Sequence, residues 1–177
     1  HRVTAFDRPA AMLKYLLDTN IVIYVIKRRP PEVREVFNRH HGRMAISSIT
    51  AAELLHGAEK SLAVERNLAV VEDFCSRLEV LPYGLKAAGH YGSIRAALER
   101  RGLPIGVNDL HIAAHARSEG LTLVSNNPGE FERIEGLLTE NWIAEQIRQA
   151  PGFHPIVVCD TKTETQRLSG GRARRGR

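Results

Sequence analysis

Cysteine is nearly absent from this chain. Cys75 and Cys159 are the only two in 177 residues. Their isolation excludes a disulfide framework and a zinc site built on paired thiolates. Cys75 is expected only to pack on the apolar side of a helix. Long apolar runs are missing too: no stretch approaches the roughly 20 residues of a bilayer-spanning helix. The charged-then-apolar order of an export signal is also lacking, so a cytoplasmic location is expected. There is no glycine-rich phosphate loop, no nucleophile elbow and no internal repeat. At 43% hydrophobic and 25% charged, what remains is the composition of a globular domain, and the length suits one such domain better than two.

The net charge of +5 invites a nucleic-acid reading, but its placement does not support a basic patch. Residues 144–177 carry seven Lys/Arg against three Asp/Glu, and residues 1–11 carry two against one. That leaves 16 of each sign in residues 12–143. Nucleic-acid affinity in the core must therefore come from local arrangement or a bound metal. Met12 directly precedes the first expected strand, so residues 1–11 are expected to be an extension outside the fold. Residues 144–177 lose periodicity, end in a Gly- and Arg-rich stretch, and are expected to form a disordered basic tail.

Between those ends, strands alternate with helices. An apolar run to Leu17 stops at Asp18-Thr19-Asn20, and a second run, Ile21 to Ile26, starts at once, as a buried strand turning into a helix does. Met44-Ala45-Ile46 reads as a second strand, leading into a helix over Ala51–Ala58. Residues 65–77 form an amphipathic helix through Leu68, Val71, Phe74 and Leu78. Val80-Leu81 is a third strand. The helix over 84–101 turns Ala87, Ile94 and Leu98 inward and ends at Gly102. Asp109 opens a helix to Ser118, Gly120 caps it, and Leu121–Val124 is a fourth strand. Phe131, Ile134, Leu137 and Leu138 are expected to close the domain around Trp142. The pattern predicts an α/β fold with a mainly parallel central sheet flanked by helices.

In such a sheet, strand C-termini and helix N-termini share one edge, where ligands bind. Asp18, Glu53 and Asp109 all fall there, with Asn127 and Glu130 in the loop after the fourth strand. Each has a plainer explanation: Asp18 as a helix N-cap, Thr50-Ala51-Ala52-Glu53 as a capping box, Asp109 as a dipole-favoured acid, Asn127 as a turn residue. Together, three carboxylates at one edge repel unless a cation joins them, and hard oxygen ligands suit Mg²⁺ or Mn²⁺. Such an ion can activate water and steady a phosphodiester in displacement. Other chemistries fit less well. An aspartyl phosphatase of the haloacid dehalogenase type wants an acid where Asn20 stands. His111 and His115 have zinc-ligand spacing, but Ile112 breaks the metalloprotease pattern. His40 and His41 lie near an expected helix end, where solvated or dipole-favoured histidines are expected.

Four segments carry a family resemblance. They are Leu17-Asp18-Thr19-Asn20; Ala52-Glu53-Leu54 followed by Gly57; Asn108-Asp109 opening Ile112-Ala113-Ala114-His115-Ala116; and Val124-Ser125-Asn126-Asn127 before Phe131. In that order and spacing, residues 12–143 resemble a PIN-domain ribonuclease, specifically the VapC toxins of bacterial toxin–antitoxin pairs. The resemblance implies a PIN-like domain and a Mg²⁺-dependent endoribonuclease cutting structured RNA, most often tRNA. It also implies a VapB-type antitoxin partner and a homodimer. It makes Asp18, Glu53 and Asp109 the metal-binding acids, with Thr19, Asn20 and Ser125 orienting ligands or water. Where the family often has a fourth acid, this chain has Asn127, so the fourth ligand is either that neutral amide or Glu130 nearby, and the number of metal ions is left open. A non-catalytic PIN-like module binding RNA or protein, and a metal-dependent DNA nuclease, stay open as alternatives.

Overall fold

The computed structural model describes residues 12–27 and 31–143. The expected extension at 1–11 and the expected tail at 144–177 lie outside them. The elements are β1 (Tyr15–Leu17), α1 (Thr19–Ile26), α2 (Pro31–Arg39), β2 (Met44–Ser47), α3 (Ser48–Glu59), α4 (Val64–Ser76), β3 (Glu79–Leu81), α5 (Leu85–Arg100), α6 (Val107–Glu119), β4 (Thr122–Val124), α7 (Pro128–Phe131) and β5 (Thr139–Glu140). The five strands form one sheet in the order β3-β2-β1-β4-β5, every neighbouring pair parallel. The chain builds outward from β1 on one side, then crosses to β4 on the other. The crevice at the carboxyl ends of β1 and β4 is therefore the topological switch point, where open α/β sheets place their ligands.

Strand alternation sorts the core into two layers. Tyr15, Leu17, Met44, Ile46 and Val124 face the layer packed by α1 to α4. Leu16, Ala45 and Leu123 face the layer packed by α5, α6 and the segment through Phe131 and Ile134. Both faces of β1 are buried, so its continuous apolar run is what a central parallel strand requires. Ala87, Ile94 and Leu98 do turn inward on α5, and Gly120 takes a left-handed conformation (φ 65°) to end α6.

Several expectations need correction. The sheet has a fifth strand, β5, which two half-buried residues could not signal by alternation. Phe131 and Ile134 do not gather around Trp142: they belong to the opposite layer, and Leu138 is 66% exposed. The helix after β2 starts at Ser48, capped by Ser47, whose Oγ accepts the Ile49 N–H at 3.1 Å. Thr50 is therefore a fully buried helical residue, and Glu53 sits beyond the first turn. No capping box joins them. Asp109 is the third residue of α6, not its first.

His40 is not a solvated helix-end residue either. Its ring stacks on Trp142 (centroids 4.8 Å, 19°) and meets Tyr15 edge-on, and its Nδ1 is buried without a partner. Burial holds its pKa below the usual value, helped by nearby Arg43. The fold thus favours neutral His40, so this contribution to stability is complete above about pH 6.5 and is lost as pH falls below it. His40→Phe keeps an aromatic ring in the stack and removes the titrating group. Its stability relative to the wild type is expected to improve on going from pH 7.5 to 5.5, as read from denaturant midpoints. A pH-independent difference would show that His40 does not couple folding to protonation.

Candidate active site

β1 ends at Leu17, and the next residue keeps an extended backbone (φ −70°, ψ 153°) while its N–H still donates to Val124 O at 2.9 Å. Asp18 is thereby fixed at the switch point, 1% exposed. One carboxylate oxygen, Oδ1, accepts the Thr19 N–H at 2.7 Å, the N-cap contact of α1. The other, Oδ2, accepts the Ser125 hydroxyl at 2.8 Å. The plain cap reading of Asp18 is thus correct as far as Oδ1 goes, but it leaves unexplained why the Ser125 hydroxyl orients Oδ2.

Thr19 carries the arrangement onward. Its hydroxyl donates to Glu53 Oε2, and Asn108 Nδ2 donates to Glu53 Oε1 at 2.8 Å. A continuous hydrogen-bonded chain, Ser125–Asp18–Thr19–Glu53–Asn108, therefore links β4, β1, α1, α3 and α6. Asp109 stands beside Asn108 in the first turn of α6. Its carboxylate folds back over the helix start, so that a Cβ on Gly106 would lie 2.9 Å from Oδ2. Only glycine fits at 106 without moving that carboxylate.

The electrostatics follow from this crowding. Burial raises the Asp18 pKa from 3.8 to about 6; the Ser125 hydrogen bond pulls it down, while the charges of Asp109 and Glu53 push it further up. Among the described residues, every hydrogen-bond donor to Asp18 and Glu53 is neutral, and neither forms an ion pair. Also among them, no three Asp, Glu, His or Cys side chains close into a ready-made cation cage. The donor set nevertheless fits a hard divalent ion: oriented carboxylate oxygens and excess negative charge, with no cation paired to Asp18 or Glu53 among the described residues. Mg²⁺ in particular is commonly held by one or two carboxylates and keeps several waters.

Other candidates are placed differently. Asn20 is exposed and makes no side-chain hydrogen bond among the described residues. Asn127 is exposed and reaches the site through its backbone, its N–H donating to Ser125 Oγ at 3.1 Å. Glu130 is half-buried in the first turn of α7, without a hydrogen bond to Asp18 or Glu53. His111 and His115 are engaged elsewhere, by Tyr83 and Ser47. Asn108 had no site role in the sequence reading, because its bond to Glu53 joins residues 55 apart in the chain. Asn126, whose buried Oδ1 has no partner, was likewise missed; an amide in a loop carries no signal of burial.

Comparison with known proteins gives a consistent picture. The family model described as PIN domain matches residues 15–137. The chain is 64% identical over 132 residues to ribonuclease VapC2 of Haemophilus influenzae, covering 75% of this chain and all of the relative. It is 58% identical over 131 residues to the tRNA(fMet)-specific endonuclease VapC of Shigella flexneri, covering 74% of this chain and 99% of the relative. The fold matches the crystal structure of DNA-bound VapBC from Salmonella typhimurium with a TM-score of 0.72 and 60% identity, over 74% of this chain and 99% of that one.

Proposed function

Because this chain belongs to the PIN-domain family, and within it to the VapC endoribonucleases of toxin–antitoxin pairs, we propose that it is a Mg²⁺-dependent toxin cutting structured RNA, tRNA above all. The observation that carries this reading is Asp18, a buried carboxylate at the switch point with both oxygens oriented by neutral donors and two further acids acting on it. Asp18, Glu53 and Asp109 would hold the ion, with Mn²⁺ an acceptable substitute. When bound, that ion supplies the positive charge that steadies a phosphate oxygen and lowers the pKa of an attacking water.

The chain's own residues do the rest. Ser125 and Thr19 hold Asp18 in one rotamer, and Thr19 and Asn108 hold both oxygens of Glu53, so neither carboxylate must be ordered when RNA arrives. Asp18 is sealed from solvent, whereas Glu53 is half-buried. Water reaches Glu53, and we assign it the proton that the attacking water gives up. Asn127 and Glu130 remain candidates for a fourth position at the rim.

A VapB-type antitoxin belongs to the same proposal, supported by solved VapBC complexes from Salmonella typhimurium and Rickettsia felis that share this fold, and so does the homodimer that the family resemblance implies. A cytoplasmic site of action would suit an RNA substrate; among the described residues no helix is long and apolar enough to cross a membrane.

The test uses the purified chain on tRNA and on DNA of matching sequence, each with Mg²⁺ and with a chelator. Cleavage is expected for tRNA in Mg²⁺ alone. Cleavage of DNA instead would favour a DNA nuclease. Binding of RNA without cleavage under any condition would favour a non-catalytic module.

A further inference from the structure

Tyr83 lies outside the carboxylate cluster, yet it touches both of the long helices that carry it. It lies just past β3, after Pro82. Its backbone N–H donates to Ser48 Oγ at 3.1 Å, at the first residue of α3. Its phenol oxygen lies 2.8 Å from His111 Nδ1 on α6. Its ring stands nearly perpendicular to the rings of His111 and His115, with centroids 5.1 and 5.5 Å away. His115, buried in α6, lies 2.8 Å through Nδ1 from the Oγ of Ser47, the N-cap of α3. His111 is held from its other side by Tyr91, stacked on it at 4.0 Å and 9°.

These contacts make a clasp. Glu53 rides on α3, and Asn108 and Asp109 ride on α6, just before His111 in the same helix. Across that helix pair Asn108 donates a hydrogen bond to Glu53 within the site. A small slide of α6 against α3 would break it and move Asp109 relative to Asp18. Side-chain placement to within about 0.5 Å is what a preorganised site demands, and it is secured by supporting contacts rather than by the ligands themselves.

We propose that Tyr83 is a positioning residue: by tying the start of α3 to α6 it sets the spacing of Glu53 and Asp109. This inference rests on the reading of the site given above. Tyr83 touches neither carboxylate, so its effect passes wholly through the two helices.

The test is Tyr83→Phe in the full chain, which removes the phenol oxygen and keeps the ring. Four quantities are measured: the Mn²⁺ dissociation constant by calorimetry, kcat and KM on RNA, and the denaturation midpoint. Mn²⁺ binding is expected to weaken, and kcat to fall, by about tenfold each, the lower end of what supporting contacts around a metal contribute. KM and the midpoint are expected to stay near wild type. A lowered midpoint with Mn²⁺ affinity and kcat per folded molecule unchanged would make Tyr83 merely structural and overturn the proposal. If the variant does not fold, Ser48→Ala removes the other end of the clasp and carries the same expectations. If the wild type itself neither binds Mn²⁺ nor cuts RNA, it is the reading of the site that fails. The clasp is then judged by amide exchange, where Tyr83→Phe must speed exchange in the first turns of both α3 and α6. Unchanged exchange there would overturn it.

Discussion

Asp18→Asn is expected to make the metal-free protein more stable at neutral pH while abolishing its activity. The carboxyl is sealed from solvent and its pKa stands at about 6 rather than 3.8, chiefly through burial. A group whose folded pKa is raised adds stability below its unfolded pKa, and that contribution is lost as pH rises through the folded value. At pH 7.5 the folded protein therefore carries the cost of a charged, buried Asp18, on the order of 3 kcal/mol at roughly 1.4 kcal/mol per pKa unit. Asparagine keeps the shape, its Oδ1 still accepts the Thr19 N–H, and its amide can face Ser125 with the hydroxyl turned to accept. The expected result is a gain of about 2–3 kcal/mol at pH 7.5 without divalent ions, shrinking toward zero near pH 4. Adding Mg²⁺ should stabilise the wild type and leave the variant unmoved, because the anchoring charge is gone. RNA cleavage should fall by at least about a hundredfold, the scale of losing one preorganised electrostatic group. Denaturation curves at both pH values, with and without Mg²⁺, check the first two; a variant less stable than wild type at pH 7.5 without metal would show that Asp18 is no strained carboxylate.

What could be read from the sequence divides by range. The Asp18 turn was legible because burial on both faces of β1 forces an unbroken apolar run, and the run's abrupt end marks the strand's edge. The inward face of α5 was legible because Ala87, Ile94 and Leu98 recur at helical spacing. The cap of α3 was not, because Ser47, Ser48 and Thr50 all have cap chemistry. The choice among them depends on β2 running one residue further, to Ser47, in register with Leu81. His40 looked like a surface histidine because the residue that buries it, Trp142, lies about a hundred positions away. The contacts of Asn108 and Tyr83 were not legible for the same reason: their partners, Glu53 and Ser48, come from another part of the chain. Local pattern reports which backbone a residue sits on. It does not report which side chain from elsewhere is brought against it.

A Glu that only caps can be replaced by Gln with nothing lost, but the cap of α3 is Ser47, and Glu53 does not serve it. Its hydrogen bonds go instead to Thr19 and Asn108, from two other helices. Glu53→Gln should keep both: the Gln carbonyl accepts from one partner, and its amide donates to the other once the Thr19 hydroxyl rotates or the Asn108 amide turns over. Stability is therefore expected to stay within about 1 kcal/mol, the net scale of a single hydrogen bond. The variant also removes one of the two charges that push the Asp18 pKa up, so that pKa should drop. Cleavage should fall by about a hundredfold, because the amide can neither balance a cation's charge nor take a proton from water. Midpoint and turnover are measured on the same preparation, with the Asp18 carbon resonance followed through titration. Lost stability with turnover per folded molecule intact would make Glu53 a structural strut between α1 and α6. Intact stability with lost turnover places Glu53 in the chemistry; a lowered Asp18 pKa shows only that the Glu53 charge acts on Asp18, which a charged strut would do as well.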